Sequence, residues 1–179
     1  LGHAIQQEHD YSTAAACFKE SLELYEQLGD DHGIALALNR LGHAALLEGN
    51  YERAAALVRE SLAHRRALDD KRGMAACLNA LGEIGRALGD EPTAEPLYEE
   101  CLALCRALGD KRCIAGVSHN LGYIWQHRGD LGRALALFGE ALTLYDEMDN
   151  GEGRALAGAG LASVVAARGQ TRQATRLLA

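Results

Sequence analysis

Three observations on this 179-residue chain predict an all-α fold of stacked antiparallel helix hairpins. Leu-Gly recurs at 1–2, 41–42, 81–82 and 121–122, with Leu161-Ala162 in the fifth place, so the period is 40 without a slip. Turn signals punctuate every repeat twice: Gly49-Asn50, Gly89-Asp90, Gly129-Asp130 and Gly169-Gln170 form one set, and Gly29-Asp30, Asp69-Asp70, Gly109-Asp110 and Asp149-Asn150 the other. Between turns the apolar spacing is helical, as in Tyr51, Ala54, Ala55, Leu57, Val58, Leu62 and Leu68, and no segment alternates like a strand. A fixed period of this length marks a repeat architecture, in which one hairpin leaves an apolar face bare and stacking buries it.

The chain divides into a partial repeat 1–30, repeats 31–70, 71–110 and 111–150, and a partial repeat 151–179, read as a single array that is a piece of something longer. In each repeat Gly supplies the left-handed residue past a helix end, and Asp or Asn caps the next helix. Twelve residues after the Gly position comes Ala (Ala14, Ala54, Ala94, Ala134, Ala174), and four later a large apolar residue (Phe18, Val58, Tyr98, Phe138, Leu178). Gly42 and Ala54 let two helices approach closely while Val58 fills the adjoining gap. With no breaker between the turns, each helix should run roughly 17–18 residues, about 26 Å. In the third repeat Pro92 and Pro96 predict a late start near Thr93 or a bend in the first turn. Gly158 and Gly160 each lower helix propensity by about 1 kcal/mol, so the fifth repeat should be the softest.

Composition excludes several functions. A formal charge of −7 without a Lys/Arg cluster argues against nucleic acid or an anionic membrane as partner. The longest stretch without a formal charge or a strongly polar break, Ala155 to Ala167, is too short to span a bilayer. Five cysteines without a CxxC pair argue against a secreted disulfide framework and for a reducing, cytoplasmic setting.

The pattern L-x2-L-G followed by A-x3-F, readable as Leu38/Leu41/Gly42/Ala45/Ala54/Val58 and as Leu121/Gly122/Trp125/Ala134/Phe138, resembles the tetratricopeptide repeat over the whole chain. Its closing Pro is absent and the period is 40 rather than 34. The resemblance implies a right-handed superhelix. The linkers Gln27-Leu-Gly-Asp-Asp-His32, Ala67-Leu-Asp-Asp-Lys-Arg72 and Ala107-Leu-Gly-Asp-Lys-Arg112 resemble the long arrays of bacterial signal-transduction ATPases and MalT-like, LuxR-type transcription activators. There the array is sensor and scaffold, and the ATPase and DNA-binding activities lie elsewhere. No GxxxxGK[ST] phosphate loop occurs in this chain.

The family places the first helix of each hairpin on the concave wall. Groove positions at i, i+4 and i+7 are then Asn39, His43 and Leu46; Asn79, Glu83 and Arg86; His119, Tyr123 and Gln126; and Ala159, Ser163 and Ala166. Asn39, Asn79 and His119 share one register and could hydrogen-bond an extended peptide or a sugar. Asn120 stands beside His119, and Arg86 suits a carboxylate, yet the family's basic clamp for peptide C-termini is not matched. Ordinary solvated faces have the same composition, so both readings stand.

Seven histidines form no HxxxH or HExxH pair and fit surface roles. Cys101, Cys105 and Cys113 could approach one another, but zinc wants a fourth ligand, and Cys17 and Cys101 fall in core registers that suit buried thiols. Trp125 fits packing between helices better than ligand stacking. No catalytic residues, metal ligands or cofactor motif emerge, so an enzyme is not expected. The leading reading is a non-catalytic protein- or peptide-binding scaffold within a larger bacterial regulator. The alternatives are a small-molecule-sensing array of a MalT-like activator and a purely structural assembly. Self-association is expected through uncapped apolar residues: Leu1, Ile5, Leu161, Val165, Leu177 and Leu178.

Overall fold

Seven of the turns end in a residue whose side chain starts the next helix. Asp30, Asn50, Asp70, Asp90, Asp110, Asp130 and Asn150 each accept a hydrogen bond from the backbone N–H three residues on. The residue before each cap has positive φ, which is Gly in most turns and Asp69 and Asp149 in two. Asp tolerates that left-handed conformation better than most residues. The computed structural model describes residues 2–169, with side chains from 15 onward.

The helices are α1 (Gly2–Leu28), α2 (Asp31–Leu47), α3 (Tyr51–Ala67), α4 (Lys71–Ala87), α5 (Glu91–Leu108), α6 (Lys111–His127), α7 (Leu131–Glu147) and α8 (Gly151–Ala167), with no strand among the described residues. From α2 on each has 17 or 18 residues, as the turn spacing predicts. The first helix instead runs 27 residues without a break. Position 9, equivalent to Gly49, is His, so the left-handed Gly that ends the corresponding helices is missing there.

The prolines do not delay α5. It starts at Glu91, with the Asp90 side chain accepting from Thr93 N and the Asp90 carbonyl from Ala94 N. Pro92 lies in the first turn, where its missing N–H costs nothing. Pro96 is exposed, so the carbonyl left without its helical donor lies on the open side of α5.

Two compact units are present, Leu1–Leu97 and Tyr98–Ala179. In the first, α1 packs on α2, α2 on α3 and α3 on α4, around Leu38, Val58, Leu62, Leu78 and Ile84. A Cβ at Gly42 would stand 2.5 Å from Val58 Cγ2, so the close approach expected there is present. In the second, α6 packs on α7 and α7 on α8, and α6 also touches α8, around Val117, Ile124, Phe138 and Val164. Ala54, Ala94 and Ala134 are fully buried, as are Tyr98 and Phe138, while Phe18 is half-buried. Ala14, Ala174 and Leu178 lie outside the residues whose side chains are described.

Gly158 and Gly160 are both buried in α8, and Gly160 receives the Phe138 ring. Glycine there makes room for a core side chain as well as lowering helix propensity. Leu161 is half-buried against the cluster of Ala134, Phe138 and Val164, and Val165 is only 6% exposed in a cluster that Leu135 packs against, so these two are not the bare end expected of them. Leu1, Ile5, Leu177 and Leu178 lie outside the described side chains.

The cysteines differ from expectation at two places. Cys17 is exposed rather than buried, and Cys105 is joined to Cys113 by a disulfide with Cα atoms 5.7 Å apart. The register explains the second. Forty-residue steps align this pair with Tyr25 over Gly33, Arg65 over Gly73 and Tyr145 over Gly153, in each of which a large side chain crosses the turn onto a glycine with no room for a Cβ. In the third repeat both members are Cys, and the same closeness places two sulfurs together.

Candidate functional site

In the first unit, the first helices α2 and α4 carry six of the residues read as groove-lining. Asn39 is half-buried, and its Nδ2 lies 3.8 Å from Cys77 Sγ on α4, within reach of a weak hydrogen bond. The fully buried Ser61 hydroxyl donates to the Ala35 carbonyl at 2.7 Å and lies 3.3 Å from the same sulfur. Burial pushes the Cys77 thiol above its ordinary range, so it remains a neutral packing group. Asn79 donates to Glu83 Oε1 at 2.9 Å, one turn along the same helix. His43 and Arg86 are exposed. Asn39 and Asn79 thus hold equivalent places on two helices that touch, each engaged in a contact that leaves polar atoms over.

In the second unit His119 is half-buried and packs edge-on against Tyr123 at 4.9 Å and Phe138 at 5.6 Å between ring centroids. Tyr123 in turn meets Phe138 at 5.1 Å. These two residues, read as groove-lining, are also part of the wall over the Phe138 core, because a ring at this register reaches the partner helix of its hairpin. Gln126 accepts a hydrogen bond from Ser163 of α8 at 3.2 Å, and Asn120 is half-buried. Trp125 borders the Phe138 core, as its register suggests, and carries the Arg133 guanidinium 4.2 Å from its ring centroid.

Two hollows lie where the sequence reading did not look. One of about 540 Å³ in the first unit is bounded by Arg59 and Arg66 of α3, Leu81 and Ile84 of α4, and Pro92 and Pro96 of α5. One of about 350 Å³ in the second unit is bounded by Leu102, Arg106, Leu121, Trp125, Arg133 and Leu137. Both are floored by a first helix and walled by second helices. Glu140 was also missed. It accepts both oxygens' worth of bonds from Arg106 at 2.9 Å and one from the Ser118 hydroxyl at 2.8 Å, gathering α5, α6 and α7. Such a knot depends on contacts between three helices, which periodicity alone does not reveal.

Among the described residues, no helix is long and apolar enough to cross a membrane. A protein-family model described as tetratricopeptide repeat matches residues 1–67 and 33–107, and a second with that description matches 115–147. No curated protein matches the sequence. Among solved structures, BtubC (BKLC) from P. vanneervenii is similar with TM-score 0.87 and 22% identity, over 97% of this chain and 72% of that one. The TPR-like repeats of a Podosopora anserina kinesin light chain give TM-score 0.76 and 18% identity, over 98% and 87%. MamA gives 0.68 and 14%, over 99% and 90%. At these identities the likeness establishes the fold, an all-α solenoid type.

Proposed function

The chain belongs to the tetratricopeptide-repeat family, and on that premise we propose that it is a non-catalytic scaffold that binds a protein or an extended peptide. One observation carries the reading. Asn39 and Asn79 repeat a side-chain amide at one register of adjoining helices, a spacing that suits the recurring N–H and C=O groups of an extended backbone. In the first unit His43, Glu83 and Arg86 would supply the flanking contacts. In the second, His119, Asn120, Tyr123 and Gln126 would supply a separate set.

The reading of 1–179 as one array rests on the unbroken 40-residue period. The resemblance of the linkers supports placing it as the sensor or interaction region of a larger bacterial regulator. Those linkers equally favour the small-molecule alternative, an array of a MalT-like activator.

Panning a displayed library of random twelve-residue peptides against the chain tests the proposal, with binding then measured for Asn39→Ala/Asn79→Ala. Enrichment of extended sequences whose affinity falls by about tenfold in the double variant supports it, since each lost hydrogen bond costs about 0.5–1.5 kcal/mol. Peptides that bind the double variant unchanged place the ligand elsewhere. A metabolite panel that raises the melting temperature while no peptide binds favours the sensor.

A further inference from the structure

We propose that, once its disulfide is reduced, the cluster Cys101, Cys105 and Cys113 is a three-thiolate site for copper(I). The three sulfurs lie within 4.8 Å of one another, and among the described residues no histidine or carboxylate joins them. Cys101 and Cys105 stand one turn apart on α5, both fully buried, with their sulfurs 3.9 Å apart. An ion about 2.3 Å from each of three sulfurs holds them about 4 Å apart, so this edge of the triangle already has the needed length. Cys113 completes it from the first turn of α6, with Lys111 and Arg112 just before it in sequence.

The ligand set selects the ion. Structural zinc takes four ligands, and this cluster offers three, two of them closed to solvent. Soft thiolates with no hard donor among them suit copper(I). The place is also unusual within the repeat: the equivalent junctions hold the Tyr25 and Tyr145 rings and the Arg65 guanidinium against a glycine, whereas here Cys105 and Cys113 stand in both places.

Loading requires a reductant. A dithiol gives two electrons and two protons to the Cys105–Cys113 bond, which breaks to two thiols as the dithiol closes to its own disulfide. Copper(I) then displaces protons from the cysteines as the metal–sulfur bonds form.

The test uses the full chain, reduced with a dithiol, desalted without oxygen and titrated with copper(I) against a coloured competing chelator. One ion withheld per chain is expected, with a sulfur-only, three-coordinate X-ray absorption spectrum. Cys101→Ser and Cys113→Ser should each weaken retention by more than about tenfold, while Cys17→Ser and Cys77→Ser leave it unchanged. Far-ultraviolet circular dichroism establishes that each variant is helical before it is titrated. Failure of the reduced chain to withhold copper overturns the proposal, as does equal retention by folded Cys101→Ser. Zinc(II) held in a four-coordinate shell in preference to copper(I) also overturns it.

Discussion

The Phe138 ring lies over Gly160 so closely that a Cβ built there would stand 2.6 Å from Cε1, and on another side Gly122 would place one at 2.8 Å. Two glycines from α6 and α8 thus accept one fully buried ring of α7. Gly160→Ala should destabilise the chain by about 1–3 kcal/mol, because overpacking outweighs the roughly 1 kcal/mol of helix propensity that Ala returns. Gly139, on α7, has nothing within 4 Å of such a Cβ. Gly139→Ala should therefore stabilise by up to about 1 kcal/mol. Urea denaturation of the two variants should show midpoints displaced in opposite directions.

Ser61→Ala removes a hydroxyl that is fully buried between the Ala35 carbonyl and the Cys77 sulfur. A loss of about 0.5–1.5 kcal/mol is expected. The same change at Thr143, whose exposed hydroxyl bonds within its own helix, should alter the stability read from urea denaturation by under about 0.5 kcal/mol.

Asp70 joins the cap of α4 to Arg65. The Gly73 backbone N–H, together with the Arg65 guanidinium, holds its carboxyl below the usual range, against the opposing effect of burial. A carboxyl depressed in the folded state stabilises it fully above the ordinary carboxylate pKa, and that contribution disappears as pH falls through the folded value. Between neutral pH and pH 5 the native chain should melt above Asp70→Asn. The margin should close as pH is lowered further, and scanning calorimetry across that range checks it.

The Cys105–Cys113 bond closes a sequence separation of 8 residues. Loop-closure entropy for so short a loop is about 2.5 kcal/mol. Adding a dithiol with metal excluded should lower the melting temperature of the native chain, and should leave a Cys105→Ala/Cys113→Ala variant where it was.

The 40-residue period and the Gly, Asp and Asn of the turns made the helices from α2 onward, their lengths and their caps legible from the sequence, because these depend on neighbours within a few residues or one repeat away. Tertiary structure decided the rest. His119 and Tyr123 read as groove residues from their spacing, yet only the contact with Phe138 shows that they also wall a core. Cys105 and Cys113 read as two thiols near a turn, and it takes the close crossing of that turn, shared with Tyr145 and Gly153, to make them a bond. Pro92 and Pro96 read as a late start near Thr93 or a bend in the first turn, yet α5 starts at Glu91. Periodicity tells which face a residue occupies. Which atoms lie opposite it is a property of packing between helices, and packing settles which polar groups, sulfurs and rings meet.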